Sequence, residues 1–198
     1  MEFIDKLFAF LGSPTKAFNK EKKTSMSDAF KYLVFGSLVF AIILTIVGTL
    51  VFSLLATMLS AFGVMSVIPV NMLPLLGGFS ALFVVGLFVI SFVSMIVVSL
   101  IWGIWLHVWV YIFGARKGLE NTFKALFYGK SPTYILFWIP VVNIFVVLWE
   151  FVLTGVGLTK LHGISSGRTA AAIIIALIIP IVIIASIALM SSSLYNPY

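Results

Sequence analysis

Between Lys31 and Arg116 the chain runs 84 residues without one Asp, Glu, Lys or Arg. A soluble domain carries about 25% charged residues, whereas this chain has 9%, against 62% apolar residues and a mean hydropathy of +1.23. A globule of 198 residues leaves much of its surface in water, so apolar surface on this scale has to meet lipid. Crossing ~30 Å of hydrocarbon takes about 20 helical residues, and the uncharged run therefore crosses at least twice. The chain reads as an all-α polytopic membrane protein.

Turn chemistry divides the run. Gly63, Pro69, Asn71, Pro74, Gly77 and Gly78 cluster between two apolar stretches, and such clusters mark loops. Spans are expected over about 32–60 and 79–113, with a last one over 169–190 that Pro180 should kink. The segment 119–160 admits one span or a hairpin turning at Pro140–Asn143. The positive-inside rule selects the hairpin, with spans at about 122–139 and 143–159. All 12 Lys and Arg then fall on one side or at its interface. The expected fold is a bundle of five transmembrane helices, amino terminus cytoplasmic and carboxyl terminus outside. Domain 32–190 forms the bundle, and 191–198 is an outside tail. Lys124, Gly129, Lys130 and Pro132 predict that the third helix is broken.

Residues 1–31 precede the bundle. Phe3, Ile4, Leu7, Phe8 and Leu11 recur at helical spacing, as in an amphipathic segment lying in the headgroup region. Packing on the cytoplasmic end of the bundle is the alternative. Ser13 can cap a second short helix with Pro14 at its first position, and Ser27 or Asp28 can cap the first span. Lys16, Lys20, Lys22 and Lys23 would face anionic lipid.

On the fourth span Asn143, Glu150, Thr154 and Gly157 fall within about 60° of one another, a polar stripe that has to point into the bundle. Glu150 lies near mid-membrane, where an ionised carboxylate costs several kcal/mol, of order ~3, unless paired. Lys130 and His107 are its candidate partners. An ion, proton or substrate site and a neutral or paired helix-stitching acid are both open readings. On the second span Trp102, Trp105 and Trp109 share a face and read as an interfacial belt towards lipid, with Gly103 and His107 on the helix-contact side. Thr45, Thr49, Ser53 and Thr57 recur every fourth residue and read as packing.

Zero cysteines exclude disulfides and thiolate metal sites. No HExxH, Walker or paired-acid motif is present. No catalytic residue, metal, cofactor or nucleic-acid partner is expected. The partners are the bilayer and other membrane proteins, in a homo- or hetero-oligomer.

Leu11–Phe18 (Leu-Gly-Ser-Pro-Thr-Lys-Ala-Phe) followed by Asp28–Tyr32 resembles the opening of prokaryotic Yip1-domain proteins. So do Thr122–Tyr128 leading into Ser131 and Pro132, and Trp149–Leu153 continuing through Gly157 to Ser165. The resemblance implies five membrane helices and a cytoplasmic amino terminus. In eukaryotes the family is tied to Rab GTPases and vesicle traffic. This chain lacks the Asp-Leu-Tyr-Gly-Pro motif of that branch, so Rab binding is not carried over. The expected function is a non-enzymatic membrane-organising or trafficking-type adaptor. The alternative is a small transporter or channel using the stripe around Glu150, and a membrane enzyme comes third.

Overall fold

The computed structural model describes residues 2–63 and 73–195, with side chains described over 2–63 and 80–191. Of the expected turn at Gly63–Gly78, residues 64–72 lie outside those residues, while 73–78 are helical and already begin the second long helix; of the expected tail 191–198, residues 191–195 continue the last helix and 196–198 lie outside. Among the described residues eight helices follow one another: α1 Phe3–Gly12, α2 Pro14–Glu21, α3 Met26–Ala61, α4 Leu73–Ile112, α5 Leu119–Gly129, α6 Ser131–Leu136, α7 Val142–His162 and α8 Ser166–Tyr195. No strand occurs among the described residues.

Among the described residues four helices are long and apolar enough to cross a membrane: α3, α4 from Ser80, α7, and α8 as far as Ser191. At 1.5 Å per residue the 36-residue α3 reaches about 54 Å. It therefore tilts or extends past the hydrocarbon. The segment expected to form the third span is instead two helices of 11 and 6 residues, each too short to cross alone.

The break between α5 and α6 has a local cause. Pro132 has no N–H to give the Tyr128 carbonyl, which would be its partner in a continuous helix. The Ser131 hydroxyl donates to that carbonyl instead, at 2.5 Å. With its proton committed, Ser131 Oγ accepts from the Tyr32 hydroxyl at 2.7 Å. Tyr134 Oη donates to the Phe127 carbonyl at 3.1 Å. The break is thus satisfied from three directions and stitched to α3.

Beyond the break the chain turns at Pro140–Asn143, with Val141 at φ 68°, a region costly for a β-branched side chain. It then returns along α7 antiparallel to α5–α6. Lys130 meets Glu150, Gly129 meets Thr154 and Thr122 meets His162. Gly163, left-handed at φ 75°, closes α7, and α8 runs back beside α4.

Of the two arrangements open for the amino-terminal segment, the structure has packing on the bundle. Leu7, Phe10, Ala17 and Phe18 are buried, while Ile4 and Phe8 point outward. Phe10 stacks on Tyr128 at 4.7 Å and meets Phe18 edge-on at 4.8 Å. Pro14 opens α2, but the Ser13 side chain caps nothing. The cap of α3 is Ser25, not Ser27 or Asp28: Ser25 Oγ accepts the Asp28 N–H at 3.1 Å. The core is gathered near the end that carries the charges. On α3 the buried residues stop at Ala41, and the side chains of α8 from Ile181 to Ser191 are exposed.

Candidate functional site

The polar stripe of α7 meets α5–α6 at the break. Lys130 Nζ lies 2.8 Å from Glu150 Oε1, with the two residues 9% and 8% exposed. Thr133 Oγ1 donates to the other carboxylate oxygen. Both Glu150 oxygens are therefore occupied, one by a cation and one by a hydroxyl, inside a sheltered pocket. Removing water from two opposite charges costs several kcal/mol per ion, roughly matched by their attraction when the geometry is good. Breaking such a pair is far more costly than never having had it.

The other stripe residues serve packing. Thr154 Oγ1 is buried without a hydrogen-bond partner and sits where a Cβ on Gly129 would be. Gly157 gives way to Phe18 and to the backbone of Ala125: a Cβ there would lie 2.7 Å from the ring and 2.9 Å from Ala125 Cα. Only glycine lets α2, α5 and α7 approach that closely. Asn143, at the start of α7, is half-buried and away from Glu150.

His107 does not reach Glu150. Its Nδ1 is 2.7 Å from Thr122 Oγ1, which is itself 2.9 Å from His162 Nε2. A hydroxyl has one proton to give, so one imidazole accepts it and the other donates an N–H. The bridge joins α4, α5 and α7 at the charged end. The half-buried tryptophans also make helix contacts. Trp105 Nε1 donates to the Ala176 carbonyl at 2.8 Å, Trp102 meets Phe151 edge-on at 6.5 Å, and Trp109 is half-buried with its Nε1 sealed from solvent. An indole N–H in an apolar setting gains most from a carbonyl, and the groove between α4 and α8 provides one. Gly103, on the opposite face, receives the Phe123 ring, a helix contact.

A second polar centre was invisible to pattern reading. Glu21, 6% exposed, accepts from Lys6 Nζ at 3.0 Å, Thr24 Oγ1 at 2.6 Å and Tyr128 Oη at 2.9 Å. Burial pushes its carboxyl up, but the three hydrogen bonds and the Lys6 charge outweigh it, leaving Glu21 below the usual glutamate range. This cluster bolts α1 and α2 to α5. The only sequence signal is that Ala17, Phe18 and Glu21 share a helix face. Among the described residues no group of three or more His, Cys, Asp or Glu could hold a metal ion.

Apolar spanning helices closed around a small set of buried polar pairs define a multi-pass helical membrane protein. The Yip1 domain model matches residues 8–189, and the chain belongs to the Yip1-domain family. No match was found among curated proteins, and none among solved structures.

Proposed function

We propose that this Yip1-domain protein is a non-enzymatic membrane-organising adaptor, with a trafficking-type role as its family suggests. The observation that carries the reading is the state of Glu150. A transport site needs a carboxylate that exchanges partners with water or a solute. Here both oxygens are held by Lys130 and Thr133, and Glu150 is not among the residues lining the open groove between α7 and α8. The buried pair acts as a strut. The adaptor surface is the arm α1–α2, whose Lys16, Lys20, Lys22 and Lys23 are all exposed and face anionic lipid or partner proteins.

The topology that goes with this reading has five crossings. The third is made jointly by α5, α6 and the Pro140–Asn143 turn, and the antiparallel pairing of that segment along the length of α7 supports it. The charge distribution supports a cytoplasmic amino terminus and an outside carboxyl terminus. Single cysteines at Val142 and Asn196 should then label from outside, and those at Gly118 and Ser165 only after permeabilisation. Outside labelling at Ser165 would sink the topology.

The function is tested in proteoliposomes under an imposed pH gradient. Wild-type protein should dissipate the gradient no faster than empty vesicles. A wild-type flux abolished by Glu150→Gln would replace the adaptor with a transporter.

A further inference from the structure

Four lysines are not exposed: the half-buried Lys6, the buried Lys124 and Lys130, and the half-buried Lys160. The first three each hold a carboxylate, Glu21, Glu120 and Glu150 respectively. Lys160 has no ion pair or side-chain hydrogen bond among the described residues. A half-buried ammonium beside apolar surface and without an anion is a natural place for one, and its surroundings indicate which.

Lys160 stands at the edge of an open groove of about 490 Å³ between α7 and α8. Below it the groove is walled by Val152, Val156, Ile173 and Ile174. Val152 and Ile174 are more than half exposed, so the groove opens sideways from two membrane-spanning helices, where the surrounding medium is lipid. At the charged end it is rimmed by Thr15 of the arm and Ser166 at the start of α8. The floor hydroxyls are already taken, Thr159 and Thr169 bonding each other at 3.1 Å. From Val152 to Lys160 the helix rises about 12 Å, against the ~15 Å depth of one leaflet. The groove thus has an apolar trough running through most of one leaflet and one unmatched cation at headgroup level.

We propose that this groove binds a single anionic phospholipid, with its phosphate on the Lys160 ammonium and one acyl chain laid between α7 and α8. The occupant is fixed by charge and shape together. A soluble phosphate would leave the trough empty, and a neutral lipid would leave Lys160 poorly compensated. The start of α8 adds favourable partial charge for the same anion. Thr15 belongs to the arm, so the lipid would lie under the edge of the adaptor surface. The site is independent of the adaptor reading and of the arm's four exposed lysines.

Native mass spectrometry of the full chain in mild detergent tests this with phosphatidylglycerol and phosphatidylcholine of identical acyl chains. One phosphatidylglycerol should be retained about five-fold more tightly than phosphatidylcholine, the effect of one basic residue near an anionic headgroup. Lys160→Gln should bring the two to parity. Gly155 forms part of the groove, and a Cβ there meets Ile173 at an ordinary 3.5 Å. Gly155→Ala should therefore keep the lipid, and Gly155→Phe, which fills the trough, should release both lipids. Substituting Lys16, Lys20, Lys22 and Lys23 by Gln should leave the retained lipid in place. Thermal melts of each variant separate lipid loss from unfolding. Equal retention by Lys160→Gln and wild type, no preference in the wild type, or binding of inorganic phosphate in place of lipid would each overturn the proposal.

Discussion

The two ends of this bundle are built on different principles. At the charged end, α1, α2, α5 and the adjacent parts of α3, α4 and α7 enclose Phe10, Phe18, Tyr32, Tyr128, Tyr134 and Leu158 in one cluster. At the other end α3 and α4 pack on each other. Phe52 stacks on Phe83 at 4.8 Å, while Leu50, Leu54, Leu82 and Val85 face outward. Lipid tails are as apolar as leucine, so burying leucine against protein gains little there. Aromatic interlocking, close glycine contacts and polar pairs have to specify the structure, and apart from the Phe52–Phe83 stack and the Gly48–Leu87 contact those described lie at the charged end.

Truncating the packed end should do the most damage. Phe18→Ala or Phe10→Ala is expected to cost about 3–5 kcal/mol, measured by reversible unfolding in mixed micelles. Leu54→Ala at the other end should stay within about 0.5 kcal/mol. Equal losses at the two ends would break the distinction. Gly157→Val forces a side chain into Phe18 and Ala125 and should cost about 1–3 kcal/mol, with the arm becoming protease-sensitive.

Next in size is the Glu21 cluster. Its folded pKa lies below the unfolded value, so the stability it supplies is complete above about pH 4.3 and is lost as pH falls through the folded value. Acidification should release the arm before the spanning helices unfold, read as proteolysis confined to residues 1–25. Glu21→Gln should cost about 1–3 kcal/mol and flatten that response. An arm release that persists unchanged in the variant would assign it to another group. The smallest effect is expected at the turn, where Val141→Gly relieves a left-handed valine and should stabilise by about 0.5–1 kcal/mol.

The same contrast explains what was legible in the sequence. The spans follow from apolar runs and charge, which act locally, and Pro132 announces the break before α6. The turn at Pro140–Asn143 follows from the charge count, since only a hairpin there keeps the basic residues on one side. The docking of the arm does not, because its determinants are paired over long separations: Tyr128 and Glu21 stand 107 positions apart. Nothing in an i, i+3, i+4 pattern distinguishes an apolar face that meets lipid from one that meets a neighbouring helix. The tryptophans illustrate the same ambiguity. An amphipathic ring suits a bilayer interface and a helix carbonyl equally well, and only the position of α8 decides between them. Conversely, Lys130 was identifiable as a partner for Glu150, since a mid-membrane acid needs a nearby cation or hydroxyl and the chain offers few.

The central claim is that the polar interior of the packed end is a strut. The most direct measurement is a double-mutant cycle on Lys130 and Glu150, by unfolding free energy in bilayer-like micelles. Lys130→Met and Glu150→Gln should each cost about 3–5 kcal/mol by stranding the opposite charge. The double variant should recover most of that loss, a coupling well above the roughly 0.3–0.5 kcal/mol seen between independent sites. Additive losses, or a Glu150→Gln protein as stable as wild type, would contradict the strut.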